Sequence, residues 1–287
     1  MTLINHKILI KSASYAAVTV SIIITTLKSY TWFATDSQSV LASLVDSLLD
    51  ISSSVINLIA IRISLAPPDY NHRFGHDKFQ DLAIFSQSIF FILSCCFTLF
   101  SSLKAIYFRE EAINNLQGMN VMYVCIALTF LLVIYQSYVI STTKSKMIAV
   151  DKLHYFTDFL TNLAVVASLY ISTKLWYIDA LVGIAISAYL FFASYKLLRE
   201  AIKNLSDEEF NDKEREKILQ IISTFSQAKG VHELRTRSAG DRSFIQFHLE
   251  LRGSISLYDA HTISDSIAEE LAKHFPKAEI IIHQDPV

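Results

Sequence analysis

The stretch "SVLASLVDSLLDISSSVINLIAI" at residues 39–61 places two acids, Asp46 and Asp50, among mostly apolar side chains. A helix of this length can cross the roughly 30 Å of hydrocarbon in a bilayer. A charge at the centre of a membrane helix costs at least about 2.5 kcal/mol on insertion scales, so two acids here indicate a functional site. Because residues four apart share one helix face, both carboxylates are predicted to point to the same place.

Residues 1–205 contain five further apolar segments and are predicted to form one membrane domain. Of the 287 residues, 52% are hydrophobic and 18% are charged, and the mean hydropathy is +0.37. Such a composition is unusual for a soluble protein, and apolar runs of this length form helices in lipid. The fifth segment opens with "DKLHYFTDFLTN", so a hydropathy window alone would miss it. The six predicted membrane helices are 8–32, 38–64, 79–107, 117–141, 149–173 and 177–198.

Charged residues predict the orientation of these helices and exclude one class of partner. Lysine and arginine concentrate at the N-terminus, in the second-to-third and fourth-to-fifth connections, and after the sixth segment. Positive connections stay in the cytoplasm, so both termini are predicted to be cytoplasmic. The net charge of −2 lacks the basic excess that a nucleic-acid partner needs. The three cysteines form no disulfide framework and are interpreted as packing residues.

Residues 206–287 are rich in charge and are predicted to form a soluble α+β domain. The sequence "SDEE" fits a capping box, with Ser206 as the N-cap and Glu209 three residues later. Alternation in "SFIQFHLEL" places Ile245 and Phe247 on one strand face and His248 on the other. The order of elements predicts two helices on one face of a small sheet. The predicted elements are a helix at 212–226, strands at 231–237 and 243–251, a helix at 257–275 and a strand at 278–285.

The fifth segment repeats the four-residue spacing with His154 and Asp158. Together with Asp46 and Asp50, they offer one imidazole and three carboxylates, a set that can close a tetrahedron around Zn²⁺. The oxygen-rich mixture also suits Fe²⁺ or Mn²⁺. Interhelical hydrogen bonding, or acids placed near a helix end, is the alternative. The same spacing in two separate segments favours the metal site.

The connection "DYNHRFGHDK" is a second candidate metal site. Asp69, His72 and His76 follow one another at spacings of three and four residues. An acid and two imidazoles in one short loop are typical metal ligands. The alternative is a solvated loop whose polar groups cap a helix.

The soluble domain contains a third group of metal-binding residue types. His283 and Asp285 alternate, so they share one face of the last strand. His274 falls in the last turn of a helix and is interpreted as interacting with the helix dipole. The histidines predicted to bind metal jointly are His232, His248, His261 and His283.

Together these motifs resemble the cation diffusion facilitator family of divalent metal/proton antiporters, most closely its bacterial zinc and ferrous-iron efflux branch. The resemblance rests on DxxxD in the second segment, HxxxD in the fifth, "PPDYNHRFGHDK" in the loop and "IIHQDP" near the end. It implies a homodimer with ferredoxin-like, metallochaperone-like cytoplasmic domains, with Zn²⁺ as substrate and regulator and Fe²⁺ or Cd²⁺ as possible substrates. The implied residues are Asp46, Asp50, His154 and Asp158 for transport; Asp69, His72 and His76 in the loop; His232, His248, His261, His283 and Asp285 in the cytoplasmic binuclear site, with Gln284 as an outer contributor; and Lys78 with Asp207 as an interlock near the membrane face.

Other features of the sequence narrow the resemblance. The branch it resembles carries a longer tail than this chain, which stops at Val287. The fourth-to-fifth connection "STTKSKMIAVDK" lacks the histidine-rich loop of eukaryotic zinc transporters, which favours a bacterial protein of the inner membrane. The manganese branch usually has asparagine in place of the fifth-helix histidine, so His154 disfavours manganese.

The functional hypothesis is export of Zn²⁺ from the cytoplasm in exchange for protons. Metal and protons compete for the same ligands, and His154 is the predicted proton carrier because histidine titrates near neutrality. Alternating access around a site fixed in the membrane moves the ion. One alternative is a membrane-anchored metal sensor or storage protein. An intramembrane metalloenzyme is disfavoured, because the chain has no HExxH motif and a fourth protein ligand closes the site.

Overall fold

A computed structural model describes residues 3–35, 38–108, 119–171 and 177–287. The chain divides into two compact units, Met1–Ala201 and Ile202–Val287. Each unit has a hydrophobic core of its own.

Within the described ranges, long helices joined by short connections make up the first unit. Each apolar segment of the sequence overlaps one of them, and the sixth helix continues past the predicted end at residue 198. The helices are α1 (Leu3–Thr35), α2 (Gln38–Ser64), α3 (Lys78–Phe108), α4 (Met119–Thr143), α5 (Lys146–Ile171) and α6 (Ile178–Leu205).

Three helices in the described part of the chain are long and apolar enough to cross a membrane. These spans are His6–Phe33, Lys78–Phe108 and Val121–Thr143. The fifth helix is not among them, because its polar residues Asp151, Lys152, His154 and Asp158 lower its hydropathy. The sequence predicted that a hydropathy criterion would miss this helix. A bundle of six membrane-crossing helices therefore stays a prediction.

The outer surface of the helices is apolar, as contact with lipid requires. Bulky side chains that would be buried in a soluble protein are more than half exposed on α3, α4 and α6. Examples are Phe97, Phe100, Leu131 and Phe192.

The fifth helix lies at the centre of the first unit. It packs against α1, α2, α3 and α4. Buried side chains of the core come from every one of these helices, among them Ala13 of α1, Ile61 of α2, Ile84 of α3 and Ile148 of α5. Polar residues on the inner faces of α2 and α5 are thereby held inside the unit.

The second unit is a three-stranded sheet with two helices. Its strands have the order β1-β2-β3, with β1 antiparallel to β2 and β3 parallel to β2. The elements are α7 (Asp212–Ser223), β1 (Gly230–Ala239), β2 (Arg242–Leu251), α8 (Leu257–His274) and β3 (Ala278–Pro286).

One face of this sheet forms the core of the second unit. Ile245 and Phe247 of β2 pack with Ile218 of α7 and Ile267 of α8, and all four are at most 1% exposed. Both helices therefore cover the same sheet face, as the sequence predicted. His248 alternates with these residues and lies on the other face.

The predicted capping box at Ser206 and Glu209 is wrong. Helix α7 begins at Asp212, and its N-cap is Asn211, whose side chain accepts from the N–H of Glu214 at 3.0 Å. Glu209 instead accepts from the hydroxyl and the N–H of Thr236 in β1, at 2.6 Å and 3.0 Å. The contact with the sheet overrides the local capping signal. The helix also ends at Ser223, three residues before the predicted end.

Candidate metal centres

The first candidate centre lies between α2 and α5. Nε2 of His154 is 3.1 Å from Oδ1 of Asp50 and 3.5 Å from Oδ2 of Asp158. His154 and Asp158 meet because they are one helical turn apart, and Asp50 joins them because α2 packs against α5. The structure thus brings together three of the four predicted residues, which we call the helical centre. The side chain of Asp46 lies outside the described residues.

The surroundings of His154 fix its ring and leave Nε2 for an ion. The residue is 8% exposed, and its ring stacks on Phe91 of α3 at 5.1 Å between centroids. Among the described residues, Nε2 makes no well-formed hydrogen bond, although two carboxylate oxygens are near. Leaving a buried polar atom without a hydrogen bond costs about 1–3 kcal/mol. An ion held between the imidazole and the carboxylates removes that cost, which favours ligation over interhelical hydrogen bonding.

The second candidate centre, the loop centre, is a turn between α2 and α3. Gly75 has a φ of 87°, a left-handed conformation that favours glycine, and its N–H donates to the carbonyl of His72. The turn brings Nδ1 of His72 within 3.2 Å of Oδ1 of Asp69, and Nε2 of His76 within 3.4 Å of Oδ2. The two imidazole rings are 4.5 Å apart. All three predicted loop residues therefore converge.

The loop backbone keeps Asp69 in its charged form. Oδ1 accepts from the N–H of His72 at 2.7 Å and from that of Asn71 at 2.9 Å. The His72 N–H is the main cause that holds the pKa of Asp69 below its ordinary value. These bonds also fit the capping alternative, but capping gives no reason for His76 to be buried with Nδ1 lacking a hydrogen bond within the described chain.

The third candidate centre crosses the sheet of the second unit. Antiparallel pairing sets His232 opposite His248, and parallel pairing sets His248 opposite His283. The three imidazoles therefore form one row across the strands, with ring centroids 5.0 Å and 4.5 Å apart. Directly paired residues on neighbouring strands have Cβ atoms about 4.5–5.5 Å apart, close enough to share an ion. With Asp285, this row is called the sheet centre below.

Asp285 contacts all three imidazoles of the row. Its Oδ2 lies 2.9 Å from Nδ1 of His248 and 3.1 Å from Nε2 of His232, and its Oδ1 lies 3.2 Å from Nε2 of His283. The hydrogen bond with His248 is the main cause that lowers the pKa of Asp285, and the charges of the three histidines add to it. The carboxylate is therefore charged at neutral pH and can accept a cation.

Two residues predicted for this site do not join the row. His261 is 71% exposed at its side chain, lies 3.4 Å from Asp265, and belongs to α8, which packs on the opposite sheet face. Gln284 donates to Oγ of Ser264 on α8 at 2.8 Å, because alternation along β3 turns it away from the row. The metal-binding assignment of His261 therefore stays a prediction.

The predicted interlock involves residues that belong to different units. Lys78 is the first residue of α3. Asp207 follows α6 with a φ of 55°, and its carboxylate is 3.4 Å from the Arg237 guanidinium in the second unit. The pairing of Lys78 with Asp207 stays a prediction.

Sequence reasoning missed two carboxylates beside the row. A β-bulge after His232 gives Glu233 a φ of 50°, and Oε2 of Glu233 lies 3.9 Å from Nε2 of His248. Oε1 of Glu250 lies 3.8 Å from Nε2 of His232. The alternation of β2 puts Glu250 on the same face as His248 and could have identified it. A bulge leaves no such periodic signal.

The three centres share a chemistry of imidazole nitrogen with carboxylate oxygen. In each, one ligand atom from each of three residues lies within 4.8 Å of the other two. These donor types bind zinc, iron and related divalent ions. In the helical centre His154 is buried and both acids are partly exposed, whereas the other two centres include exposed side chains.

Comparison with known proteins finds matches to both units of the chain. Residues 14–206 match the family described as "Cation efflux transmembrane domain", and residues 210–287 match "Cation efflux protein, cytoplasmic domain". Protein p34 of Rickettsia rickettsii is 55% identical over 97% of this chain and 92% of its own length. Cation-efflux pump FieF of Serratia proteamaculans is 38% identical over 97% of this chain and 93% of its own. The metal-bound C-terminal domain of the CzcD transporter from Thermotoga maritima is 28% identical, covers 26% of this chain and 87% of its own, and has a TM-score of 0.25.

Proposed function

The chain belongs to the cation efflux family of membrane transporters, and from this premise we propose that it exports Zn²⁺ from the cytoplasm in exchange for protons. Membership, which the resemblance of the motifs predicted, favours transport over a membrane-anchored sensor or storage protein. Family members are transporters rather than enzymes.

The observation that carries the proposal is the helical centre. Asp50, His154 and Asp158 converge from two packed helices, with His154 nearly buried. Charged groups inside a membrane protein are costly and mark ion pathways. An ion bound here lies among the helices that must rearrange for it to cross. Asp46, one turn before Asp50, is the proposed fourth ligand.

The donor set supports Zn²⁺ as the preferred substrate. Imidazole suits zinc and iron, whereas sites of carboxylate and water suit magnesium and manganese. One imidazole with three carboxylates therefore favours zinc, and Fe²⁺ or Cd²⁺ are further substrates of the same site. His154 is the ligand that makes this distinction.

Proton exchange follows from the ligands themselves. Carboxylates and imidazole bind metal only when they are deprotonated, so protons and metal compete for the helical centre. Protons that enter from the outer side displace the ion, and the protonated site returns to the cytoplasmic side. His154 is the proposed proton carrier.

We propose that six helices cross the bacterial inner membrane with both termini in the cytoplasm, and that the protein works as a homodimer. The loop and sheet centres then face the cytoplasm, where they can exchange ions with the pool that the transporter empties. Binding at the sheet centre regulates transport if metal favours one arrangement of the dimer. His261 and the interlock of Lys78 with Asp207 belong to this part of the proposal.

Flux in proteoliposomes tests the proposal. The purified chain is reconstituted, a pH gradient is imposed, and Zn²⁺ movement is followed with a fluorescent indicator. We expect Zn²⁺ to move toward the acidic compartment and to stop doing so when the gradient is collapsed. Flux that ignores the pH gradient would contradict exchange with protons.

Matched variants locate the pathway in the same assay. Asp50→Asn removes one charge at the helical centre and is expected to abolish flux. Glu216→Gln removes one charge from the surface of α7 and is expected to leave it unchanged. Equal flux in Asp50→Asn and the parent chain would mean that the transported ion does not bind at the helical centre.

A further inference from the structure

A second polar group lies inside the helical unit, one turn away from the helical centre. Asp151 of α5 is 2% exposed, and its Oδ2 accepts a hydrogen bond of 2.6 Å from Nε2 of Gln136 on α4. Asn57 of α2 is 1% exposed and approaches the same carboxylate. These three residues, from three different helices, are called the inner group.

The inner group lies on the polar faces that also carry the helical centre. On α2, Asp50, Ser54 and Asn57 follow one another at intervals of four and three residues and share one face. On α5, Asp151 precedes His154 by three residues, which is about 4.5 Å along the helix axis. The hydroxyl groups of Ser54 and Tyr155 are 2.6 Å apart and tie the two helices together beside the helical centre.

The polar faces run from the helical centre toward one end of the bundle. Helix α2 ends at Ser64, and the loop centre follows it; helix α5 begins at Lys146. Because Asn57 comes after Asp50, and Asp151 comes before His154, these two members of the inner group lie on the side of the helical centre nearer that end. The inner group therefore lies between the helical centre and the end of α2 that the loop centre follows.

Three polar atoms of the inner group make no well-formed hydrogen bond among the described residues. They are Nδ2 and Oδ1 of Asn57 and Oε1 of Gln136, and all three are buried. An anchor of α5 to its neighbours requires the bond from Gln136 and the approach of Asn57 to the same carboxylate, but it gives no reason to bury Oε1 of Gln136 without a partner. A cation that accepts oxygen ligands explains the burial of all three side chains together.

We propose that Asn57, Gln136 and Asp151 form a weak, oxygen-only binding station for divalent cations between the loop end and the helical centre. The proposal rests on the transport function proposed above. One carboxylate and two amide oxygens bind divalent ions without the imidazole that strengthens zinc binding at the helical centre. A weak station next to a stronger one lets an ion enter and leave, as conduction through several sites requires.

Binding of Mn²⁺, followed by electron paramagnetic resonance, tests the station without any need for flux. The full chain first receives Asp50→Asn and Asp158→Asn in the helical centre, His72→Ala and His76→Ala in the loop, and His232→Ala and His248→Ala in the sheet. We expect this background to bind about one Mn²⁺ per chain, and Asp151→Asn to remove that binding, because asparagine keeps the shape but not the charge. Absence of binding in the background, or its persistence in Asp151→Asn, overturns the station.

A second arm separates the station from a positioning role through His154. In the otherwise unaltered chain, Asp151→Asn is expected to raise KM for Zn²⁺ flux about tenfold while the equilibrium affinity of the helical centre stays unchanged. Ser187→Ala, which removes a buried hydroxyl group from α6, is the matched control and is expected to change neither value. If the rise in KM is matched by an equal loss of helical-centre affinity, Asp151 acts by orienting His154, and the station is overturned. If the parent chain shows no flux, the proposed transport function fails. The Mn²⁺ experiment does not depend on flux and still tests the station.

Discussion

The helical centre and the sheet centre use the same kinds of ligand in opposite surroundings. His154 is 8% exposed between packed helices, whereas the side chain of His283 is 64% exposed at the third strand of a sheet. At the helical centre the imidazole is enclosed by packed helices, while Asp50 and Asp158 are partly exposed. An ion at the sheet centre can exchange with water directly. The comparison teaches that one set of ligands can be held at different depths, and under the proposed function the buried imidazole marks the transport site and the exposed row marks the regulatory one.

The largest expected effect separates the two centres by their role in flux. Removing one partner from a buried charged group costs about 3–5 kcal/mol, so Asp158→Asn is expected to lower Zn²⁺ flux about 10²- to 10⁴-fold. His248→Ala in the sheet centre is expected to lower flux by less than about tenfold, since the ion does not pass through it. Initial rates in proteoliposomes measure both, with insertion checked by size-exclusion chromatography.

The contrast between the two centres would be contradicted if His248→Ala lowered flux more than Asp158→Asn does. A large loss of flux in His248→Ala together with near-normal flux in Asp158→Asn would place the transported ion outside the helices. His274→Ala is a control for histidine replacement, because His274 is exposed in the last turn of α8.

A second prediction tests which histidine of the sheet centre contributes more to zinc affinity, His248 or His283. His248 lies between the other two histidines and binds Asp285 at 2.9 Å, so His248→Ala removes a ligand that the whole row shares. We expect it to weaken Zn²⁺ binding about 10- to 100-fold, and more than His283→Ala does. Calorimetry on the full chain, with the helical and loop centres removed, measures the ratio. A greater loss in His283→Ala would contradict the shared position of His248.

A smaller effect concerns the fold of the second unit rather than its centre. Asn211→Ala removes the N-cap of α7 and is expected to destabilise the unit by about 1 kcal/mol without changing its zinc affinity. Ser206→Ala, at the cap that the sequence predicted, is expected to have no such effect. Hydrogen exchange of α7 amides in the full chain compares the two variants. Equal exchange in both would restore the original assignment.

The smallest expected effect concerns how the zinc affinity of Asp285→Asn, relative to that of the parent chain, depends on pH. The lowered pKa of Asp285 means that its carboxylate is charged in the folded chain throughout pH 5–7, and that its charge is lost only at more acidic pH. The zinc affinity of Asp285→Asn relative to the parent chain is therefore expected to be constant over this range. Titrations at pH 5, 6 and 7 measure it, and a ratio that approaches one at pH 5 would show that Asp285 becomes protonated there.

Helical spacing explains why the helical centre could be predicted from the sequence. Two residues four apart must share a face, so His154 and Asp158 had to meet whatever the packing of the bundle. The arrival of Asp50 beside them depends on how α2 packs against α5, and the similarity of motifs to a known family supplied that pairing. The stacking of Phe91 on His154 comes from α3 and has no signal in the spacing of either residue.

The sheet centre depends on strand register, which the sequence predicts only in part. Alternation placed His248 opposite the core face, but it did not align His232 and His283 with it in one row. That alignment is set by the pairing of strands that are distant in the sequence. The bulge that turns Glu233 toward His248 arises from the same pairing, and the capping box failed because Glu209 binds β1.

The most direct test of the central claim is a count of protons released when Zn²⁺ binds the helical centre. The full chain, with His72→Ala, His76→Ala, His232→Ala and His248→Ala, is titrated with Zn²⁺ near pH 6–7 in buffers of different ionisation enthalpy. If metal and protons compete for Asp50, His154 and Asp158, the binding enthalpy changes with the buffer and reports at least about one proton released per ion. A binding enthalpy that is the same in every buffer would mean that no proton leaves, and it would contradict metal–proton exchange at this site.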